Sequence, residues 1–308
     1  MKNWLWFHDH FFPSEIHQHG FTDTIASLET EFQKIDIIRS PLYGKMVLID
    51  GDVQSSCLDE YIYHETLVLP AMMSHPNPKK IYLAGGGEGA TLREILKCNT
   101  VSSVTKCDID QKAIEMFIQK LPEWHQHSFF DPRVELIHQD ARANLTSKPD
   151  GEFDIIYTDL TEPIDGGPSQ RLFSDEFFKL CYQKLTDQGS ICLQASLLRI
   201  TNHEMHGSIL QTIRQTFPIV RSMLVYVPSF DTTWGFIYAS KDTDPLLLEP
   251  AIIDARIKER LSLPTRFYDS QIHHTLFTIS KDLRQLLEND RTIIKDDQPF
   301  SLKSKNEI

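Results

Sequence analysis

The sequence lacks any run of about 18 apolar residues, so no segment has the length of a membrane-crossing helix. It also lacks a basic excess, because 31 lysines and arginines face 43 aspartates and glutamates, a net charge of −12. Phosphate backbones and anionic membranes repel such a chain unless it carries a local basic patch, and Lys79-Lys80 is too small to be one. Neither nucleic acid nor membrane is therefore an expected partner. Cysteine is sparse: Cys57, Cys98, Cys107, Cys181 and Cys192 are odd in number, dispersed and never in C-x-x-C spacing. That excludes a disulfide framework and a thiolate zinc site, and fits reduced thiols in a cytoplasmic protein. The first ten residues place Asp9 and two imidazoles where a signal peptide carries its apolar stretch. What is present is 41% hydrophobic and 10% aromatic residues, enough for a buried core. The acid excess mildly favours a cationic partner.

At roughly 100–200 residues per domain, the length suits one large domain and one small one. Residues 1–65 are turn-rich with short alternating stretches. Phe32–Arg39 and Lys45–Asp50 read as strands, followed by Val53–Ser56, so a small antiparallel unit is expected there. Glu60–Met73 has helical spacing interrupted by Pro70 and ends before Pro76 and Pro78. Residues 66–308 alternate apolar runs with helical segments. Ile81–Ala84, Val104–Asp110, Val134–His138, Phe153–Thr158 and Ser190–Ala195 read as strands, and Ala90–Cys98, Gln111–Leu121 and Asp175–Leu185 as helices. Such alternation predicts an α/β fold with a mostly parallel sheet covered on both faces. Later segments predict a helix at Glu204–Phe217, strands at Ser222–Val227 and Gly235–Ser240, and covering helices at Leu247–Leu263 and Leu276–Leu287. The tail from Asp296 is polar and expected to fray.

Between the first strand and helix of that alternation lies Gly85-Gly-Gly-Glu-Gly. A glycine turn there lets a ligand approach the backbone closely. Gly85-x-Gly87-x-Gly89 fits adenosylmethionine-type methyltransferase folds, and Gly85-x-Gly87-x-x-Ala90 also fits the dinucleotide fingerprint. Asp108, 23 residues after Gly85 and at the end of the next strand, is placed to take both hydroxyls of a ribose. Glu88 is unfavourable beside a pyrophosphate and favourable beside a sulfonium or ammonium group. Asp140 sits either where adenine is read or as the cap of the following helix. The fourth strand ends in Asp159-Leu-Thr-Glu162-Pro. Ligands of open α/β sheets bind beyond the carboxyl ends of the strands, so Glu88, Asp108, Asp140, Asp159 and Glu162 should share one crevice. Five carboxylates there require a cation to offset their repulsion.

Asp59-Glu-Tyr-Ile-Tyr-His-Glu, Gly85-Gly-Gly-Glu-Gly, Cys107-Asp-Ile-Asp and Asp159-Leu-Thr-Glu-Pro together resemble the polyamine aminopropyltransferases, the spermidine synthase family, over residues 30 to 290. The resemblance implies a Rossmann-like, methyltransferase-type doubly wound sheet with a small N-terminal antiparallel β domain. It implies decarboxylated S-adenosylmethionine as co-substrate, a homodimer or dimer of dimers, and no metal or other cofactor. Asp159 matches the family's proton acceptor. Gln33, Gly85, Gly87, Asp108, Asp140, Ala141 and Pro168 match positions that hold the donor's nucleoside. Tyr63, His64, Glu88 and Glu162 match contacts to the amine groups.

The chain departs from the usual spermidine synthase pattern. Glutamate replaces the common aspartate at Glu88 and Glu162, Ile164-Asp-Gly-Gly-Pro is two residues longer, and Phe230 stands where a tyrosine is usual. All but Glu162 are similar to the thermospermine synthase branch. The acceptor implied is thus putrescine or spermidine, giving spermidine or thermospermine. His8-x-His10, His17-x-His19 and His125-x-His127 have no helix-spaced partner ligand, so a metal is not expected. Trp4 and Trp6 read as part of a small packed core. A methyltransferase would share the glycine loop and Asp108 without needing Glu88 or Asp159-Leu-Thr-Glu-Pro. A non-catalytic polyamine-binding protein would keep the acidic cleft and lose the donor site.

Overall fold

Period-two alternation governs the chain as far as Ser56. In the computed structural model, which describes residues 4–12, 15–163 and 167–300, this segment forms two antiparallel units. Strands β1 (Leu5–Phe12) and β2 (Glu15–Phe21) make a hairpin. Strands β3 (Asp23–Glu29), β4 (Lys34–Ser40), β5 (Gly44–Ile49) and β6 (Asp52–Ser56) make a four-stranded sheet in sequence order. The last three fall where alternation predicts them, whereas β1 to β3 extend the turn-rich reading. The inner face of the hairpin is largely polar (Asp9, Glu15, His17 and His19 with Phe7), so its pattern does not stand out as hydrophobic. Trp4 and Trp6 lie on the outer face against Gly20 and are 41% and 56% exposed, not in a packed core.

The four-stranded sheet is buried on both faces. Ile35, Ile37 and Val47 pack with Ala113, Phe117 and Trp124, while Ile38, Met46 and Leu48 join the main core. Helix α1 (Glu60–Ser74) follows, continuous through Pro70. The change from sheet to helix comes at 57–59, and residue 65 lies inside the helix. Arg260 closes its far end by donating to the carbonyls of Met72, His75 and Pro76 at 2.6–2.9 Å.

The remaining chain alternates β7 (Lys80–Gly85), α2 (Ala90–Leu96), β8 (Ser103–Cys107), α3 (Gln111–Lys120), α4 (Pro122–His125), β9 (Val134–Ile137), α5 (Ala141–Ser147), β10 (Phe153–Asp159), α6 (Asp175–Lys184), β11 (Leu185–Leu197) and α7 (Glu204–Ile213). Strands β12 (Ile219–Val227) and β13 (Thr232–Ser240) complete a seven-stranded sheet of order β12-β13-β11-β10-β7-β8-β9. Five strands, β11 to β9 in that order, run parallel, and β13 alone runs antiparallel, between β11 and the edge strand β12. Successive residues of β7 serve opposite cores: Ile81 and Leu83 join the α1 side, Tyr82 and Ala84 the α5–α7 side. Burial on both faces explains the unbroken apolar runs.

Helices α8 (Pro250–Arg260), α9 (Ser270–Leu276) and α10 (Lys281–Asn289) cover the sheet. Leu276–Leu287 is therefore two helices, not one, because the chain turns extended at Ser280 while Ile279 plugs into the core. The tail also departs from expectation. Asp296 takes a bidentate hydrogen bond from Arg142 at 2.7 Å, and Ser174 donates to it at 2.6 Å. Residues 301–308 lie outside the described residues, as do 164–166 of the lengthened loop.

Register places the functional elements. Asp159 is opposite Gly85 on adjacent parallel strands, Ala84 is opposite Cys107, and Cys107 is opposite Ile137. The carboxyl ends of β10, β7, β8 and β9 therefore stand side by side, with the topological switch between β7 and β10.

Candidate active site

At that switch point β7 ends in Gly85 with φ +77°, where a Cβ would lie 2.1 Å from the Asp159 carbonyl oxygen. Only glycine lets the two strand ends approach this closely. The Gly86 N–H donates to that oxygen at 2.7 Å, locking the loop to β10. A cavity opens above, lined by Gly85, Gly87, Glu88, Asp108, Asp140 and Asp159, and also by Gln33, Tyr63, Ala141, Glu162 and Pro168. The five carboxylates expected to share one crevice do so.

One end of the cavity is built largely from backbone and capping groups. Asp108 accepts from the Asp110 N–H at 3.1 Å and from the buried ammonium of Lys106 at 3.1 Å; Lys106 also donates to the Gly85 carbonyl. Asp110 caps α3 through the Ala113 N–H and accepts from Thr30 at 2.7 Å and from Gln33 Nε2 at 3.0 Å. These bonds carry Gln33, in the β3–β4 turn, across to the glycine-loop side. Asp140 is exposed and caps α5 by accepting from the Ala143 N–H at 2.7 Å, so the capping reading holds while the residue also lines the cavity. Gln54 and Ser55 of β6 join the wall without any signal in the sequence, because only the docking of the antiparallel sheet brings them there.

The other end is built from side chains. Asp159 accepts from Tyr63 Oη at 2.8 Å and from Thr91 Oγ1 at 2.5 Å. Burial and the nearby Glu88 charge raise its proton affinity, against opposition from His64 and the two hydroxyls. Burial and the Asp159 charge push the Tyr63 phenol well above its usual range, so it remains a donor. Burial also raises Glu162, to which the Ser196 hydroxyl donates. Glu88 behaves oppositely. Burial would raise it, but its hydrogen bond and charge pairing with His64 hold it below the ordinary value. His64 does not line the cavity; it stands behind Glu88, 2% exposed, with Nε2 at 2.8 Å from Glu88 and Nδ1 at 2.8 Å from Glu60. Its position there follows from one helical turn, since Glu60 and His64 are four residues apart on α1.

Phe230 and Trp234 supply an apolar wall beside Tyr63. Their ring centroids are 5.1 Å apart, and Phe230 lies 6.2 Å edge-on to Tyr63. Asp59 fixes this wall by accepting from the Ser229 N–H at 2.6 Å and hydroxyl at 2.9 Å. Thr91, Gln194 and Ser196 were not foreseen. Ser196 takes φ +64° and donates its N–H to Gln194, which in turn donates to the Leu160 carbonyl at 2.6 Å.

Among the described residues the paired histidines face separate partners. His17 faces Glu15 and Asp231, His19 packs between Phe7 and Tyr43, and His125 bonds the Ile118 carbonyl and the His127 N–H. The His10 side chain lies outside the described residues. Among the described residues His64, Glu88 and Asp159 place ligand atoms within 4.8 Å of one another. Carboxylate oxygens of Glu60 and Glu88 lie 2.8 Å from the two ring nitrogens of His64.

Residues 60–248 match the spermine/spermidine synthase domain, and residues 23–56 match the spermidine synthase tetramerisation domain. The chain belongs to the spermine/spermidine synthase family, the polyamine aminopropyltransferases. A polyamine aminopropyltransferase of Sulfurisphaera tokodaii is 38% identical over 98% of this chain and 99% of its own length. One of Aeropyrum pernix is 37% identical over 94% and 92%. Among solved structures, a spermidine synthase in complex with the transition-state analogue AdoDATO superposes with TM-score 0.86 at 28% identity, covering 92% of this chain and 95% of that one. Spermidine synthase from Thermotoga maritima gives 0.85 at 28%, covering 92% and 94%. Membership in this aminopropyltransferase family accounts for both the doubly wound sheet and the N-terminal antiparallel layer. No described helix is long and apolar enough to cross a membrane.

Proposed function

We propose that this member of the family moves the aminopropyl group of decarboxylated S-adenosylmethionine to a primary amine of a polyamine, with Asp159 as proton acceptor. The observation that carries the reading is the pair of neighbouring carboxylates with opposite proton affinities, Asp159 raised and Glu88 lowered. Such divergence assigns acid–base roles. An alkylammonium with pKa ~10.4 is not nucleophilic. Glu88, ionised against His64, holds the cation, and Asp159 takes one of its protons. The freed nitrogen lone pair attacks the aminopropyl carbon on sulfur. A C–N bond forms, the C–S bond breaks with its electron pair going to sulfur, and 5'-methylthioadenosine leaves as a neutral thioether. The product nitrogen, now a secondary ammonium, carries the positive charge that the sulfonium gives up.

Gly85, Gly87 and Asp108 hold the ribose and loop side of the donor, with Gln33, Asp140, Ala141 and Pro168 around its base. Tyr63 orients Asp159 and Glu162 receives the far amine, while His64 acts through Glu88. The methylenes run along Phe230 and Trp234. A phenylalanine in place of the usual tyrosine leaves this wall apolar, which supports spermidine as acceptor and thermospermine as product; putrescine, giving spermidine, is the alternative. The tetramerisation-domain match supports a homodimer or dimer of dimers, and five free thiols support a cytoplasmic location. The test is incubation with decarboxylated S-adenosylmethionine and putrescine, cadaverine, agmatine or spermidine, with products read by mass. Methylthioadenosine and an amine longer by one aminopropyl unit are expected; no methylthioadenosine with any amine overturns the reading.

A further inference from the structure

Behind the cavity, buried side chains of alternating charge form a row that reaches toward the surface. His64 Nδ1 lies 2.8 Å from Glu60 Oε2, which also accepts from Arg93 at 2.8 Å. Arg93 donates to Glu94 at 2.9 Å, and Glu94 accepts from Lys97 at 2.7 Å. Glu60, His64, Arg93 and Glu94 are all buried, and none lines the cavity. A buried ion survives only when paired, so each member depends on its neighbours.

We propose that Glu60 is a positioning residue: countered by Arg93, it holds His64 as an imidazolium against Glu88 and so leaves Asp159 as the carboxylate that takes the amine's proton. This rests on the aminopropyl-transfer reading and extends it beyond the cavity wall. The argument is geometric. A neutral imidazole has one N–H and one lone pair, yet His64 has carboxylate oxygens at 2.8 Å on both nitrogens, and Nδ1 also meets the Glu60 carbonyl at 2.6 Å. Either neutral tautomer would aim a lone pair at a carboxylate oxygen. The groups facing His64 are Glu60 on its own helix, Glu88 from the glycine loop, the Tyr63 ring edge-on at 5.1 Å, and the Asp159 charge beyond. Three of the four are acidic, and Tyr63 is already donating to Asp159. Without His64 charged, Glu88 and Asp159 would compete for one proton, as adjacent carboxylates do. Burial alone would push His64 down, but hydrogen bonds and charges from Glu60 and Glu88 raise it to about 10.

The experiment is a titration of histidine ring resonances in uniformly labelled protein, His64 being assigned from its absence in His64→Gln. In the unsubstituted protein the His64 ring is expected to remain imidazolium from pH 6 to 9. In Glu60→Gln its midpoint is expected to fall by at least one pH unit, and turnover to fall about tenfold between pH 7 and 9 relative to the unsubstituted enzyme. Arg93→Lys, which keeps the cation, is expected to hold the midpoint. A neutral His64 ring at pH 7 in the unsubstituted protein overturns the proposal without needing any variant to fold. So does a Glu60→Gln midpoint equal to the unsubstituted one. Because the ring titration needs no substrate, it is independent of the product assay: absence of methylthioadenosine would sink the transfer reading and leave the ring result standing.

Discussion

The two ends of the cavity are made differently. At the glycine-loop end, each carboxylate is already engaged with a backbone N–H: Asp108 with residue 110, Asp140 with residue 143. Those groups are ordinary turn and cap residues to which a ligand adds contacts. At the acid end, Asp159, Glu88 and Glu162 are held by side chains (Tyr63, Thr91, His64 and Ser196), and burial or neighbouring charge displaces their proton affinities. In the proposed reaction this contrast would separate recognition from chemistry. Shape and a few hydrogen bonds suffice to hold a nucleoside, whereas moving a proton requires one carboxylate to differ from the next.

The strongest way to break the contrast is Asp159→Asn. Turnover is expected to fall about 10²–10⁴-fold, the usual contribution of a positioned base. Donor binding, measured by calorimetry, is expected to stay within twofold. The stability sign runs opposite to intuition. Asp159 has a raised folded-state value, so the folded protein binds its proton more tightly than the unfolded chain does, and ionisation costs stability as pH rises past the usual ~3.9. The asparagine form should therefore melt no lower than the unsubstituted protein at pH 7. A melting temperature several degrees lower would contradict that electrostatic account. For the same reason, the acid limb of kcat should lie above the ordinary aspartate range.

Asp108→Asn probes the opposite end. Loss of a charged hydrogen bond to a ribose costs about 1.5–3 kcal/mol, roughly 10–100-fold in donor KM. Turnover at saturation should change little, since the proposed role of Asp108 is to hold the ribose and not to move the proton. An equal fall in kcat and kcat/KM would show that the two ends are not separable.

Most of the parallel sheet was legible because buried strands between capped helices leave unbroken apolar runs, and because Gly85, Asp108, Asp140 and Asp159 each follow such a run. The acid cluster was legible for the same reason: strand ends in register bring together residues far apart in sequence. Other features were not. The hairpin β1–β2 carries a polar inner face, so no hydrophobic period marks it. The break at Ser280 depends on Ile279 finding a place in the core. Gln54 and Ser55 enter the wall only through docking of one sheet on the other. His64 lies in a motif, but its place behind Glu88 follows from the three-dimensional pairing of α1 with the glycine loop. Arg93 falls beside Glu60 by the same packing of α1 on α2, which no local pattern announces.

The C-terminal strap offers a smaller test. Asp296 joins Arg142 on α5 to Ser174 at the start of α6, and so braces the two elements that flank Ala141 and Pro168. The pair is partly exposed and worth about 1 kcal/mol or less. Asp296→Ala is therefore expected to raise donor KM by up to about fivefold, with amine KM unchanged. A matching rise in amine KM would mean that the strap supports the whole fold and not one end of the cavity.

The smallest expected effect concerns acceptor choice at the acid end. Phe230 is 4% exposed and packs edge-on to both Tyr63 and Trp234, so a hydroxyl added to its ring would enter an aromatic wall. A new hydrogen bond to a nearby ammonium is worth about 0.5–1 kcal/mol after desolvation. Phe230→Tyr should thus favour the amine whose nitrogen falls at that wall. The far terminal ammonium of a short diamine lies closer to the reacting nitrogen than that of spermidine does. The ratio of kcat/KM for putrescine over spermidine is therefore expected to rise two- to fivefold, with the donor KM constant. A ratio that stays fixed while both values fall together would identify the added oxygen as simple overpacking of the aromatic wall. In that case acceptor length would be set by Glu162, which burial and, to a smaller extent, the Asp9 charge raise.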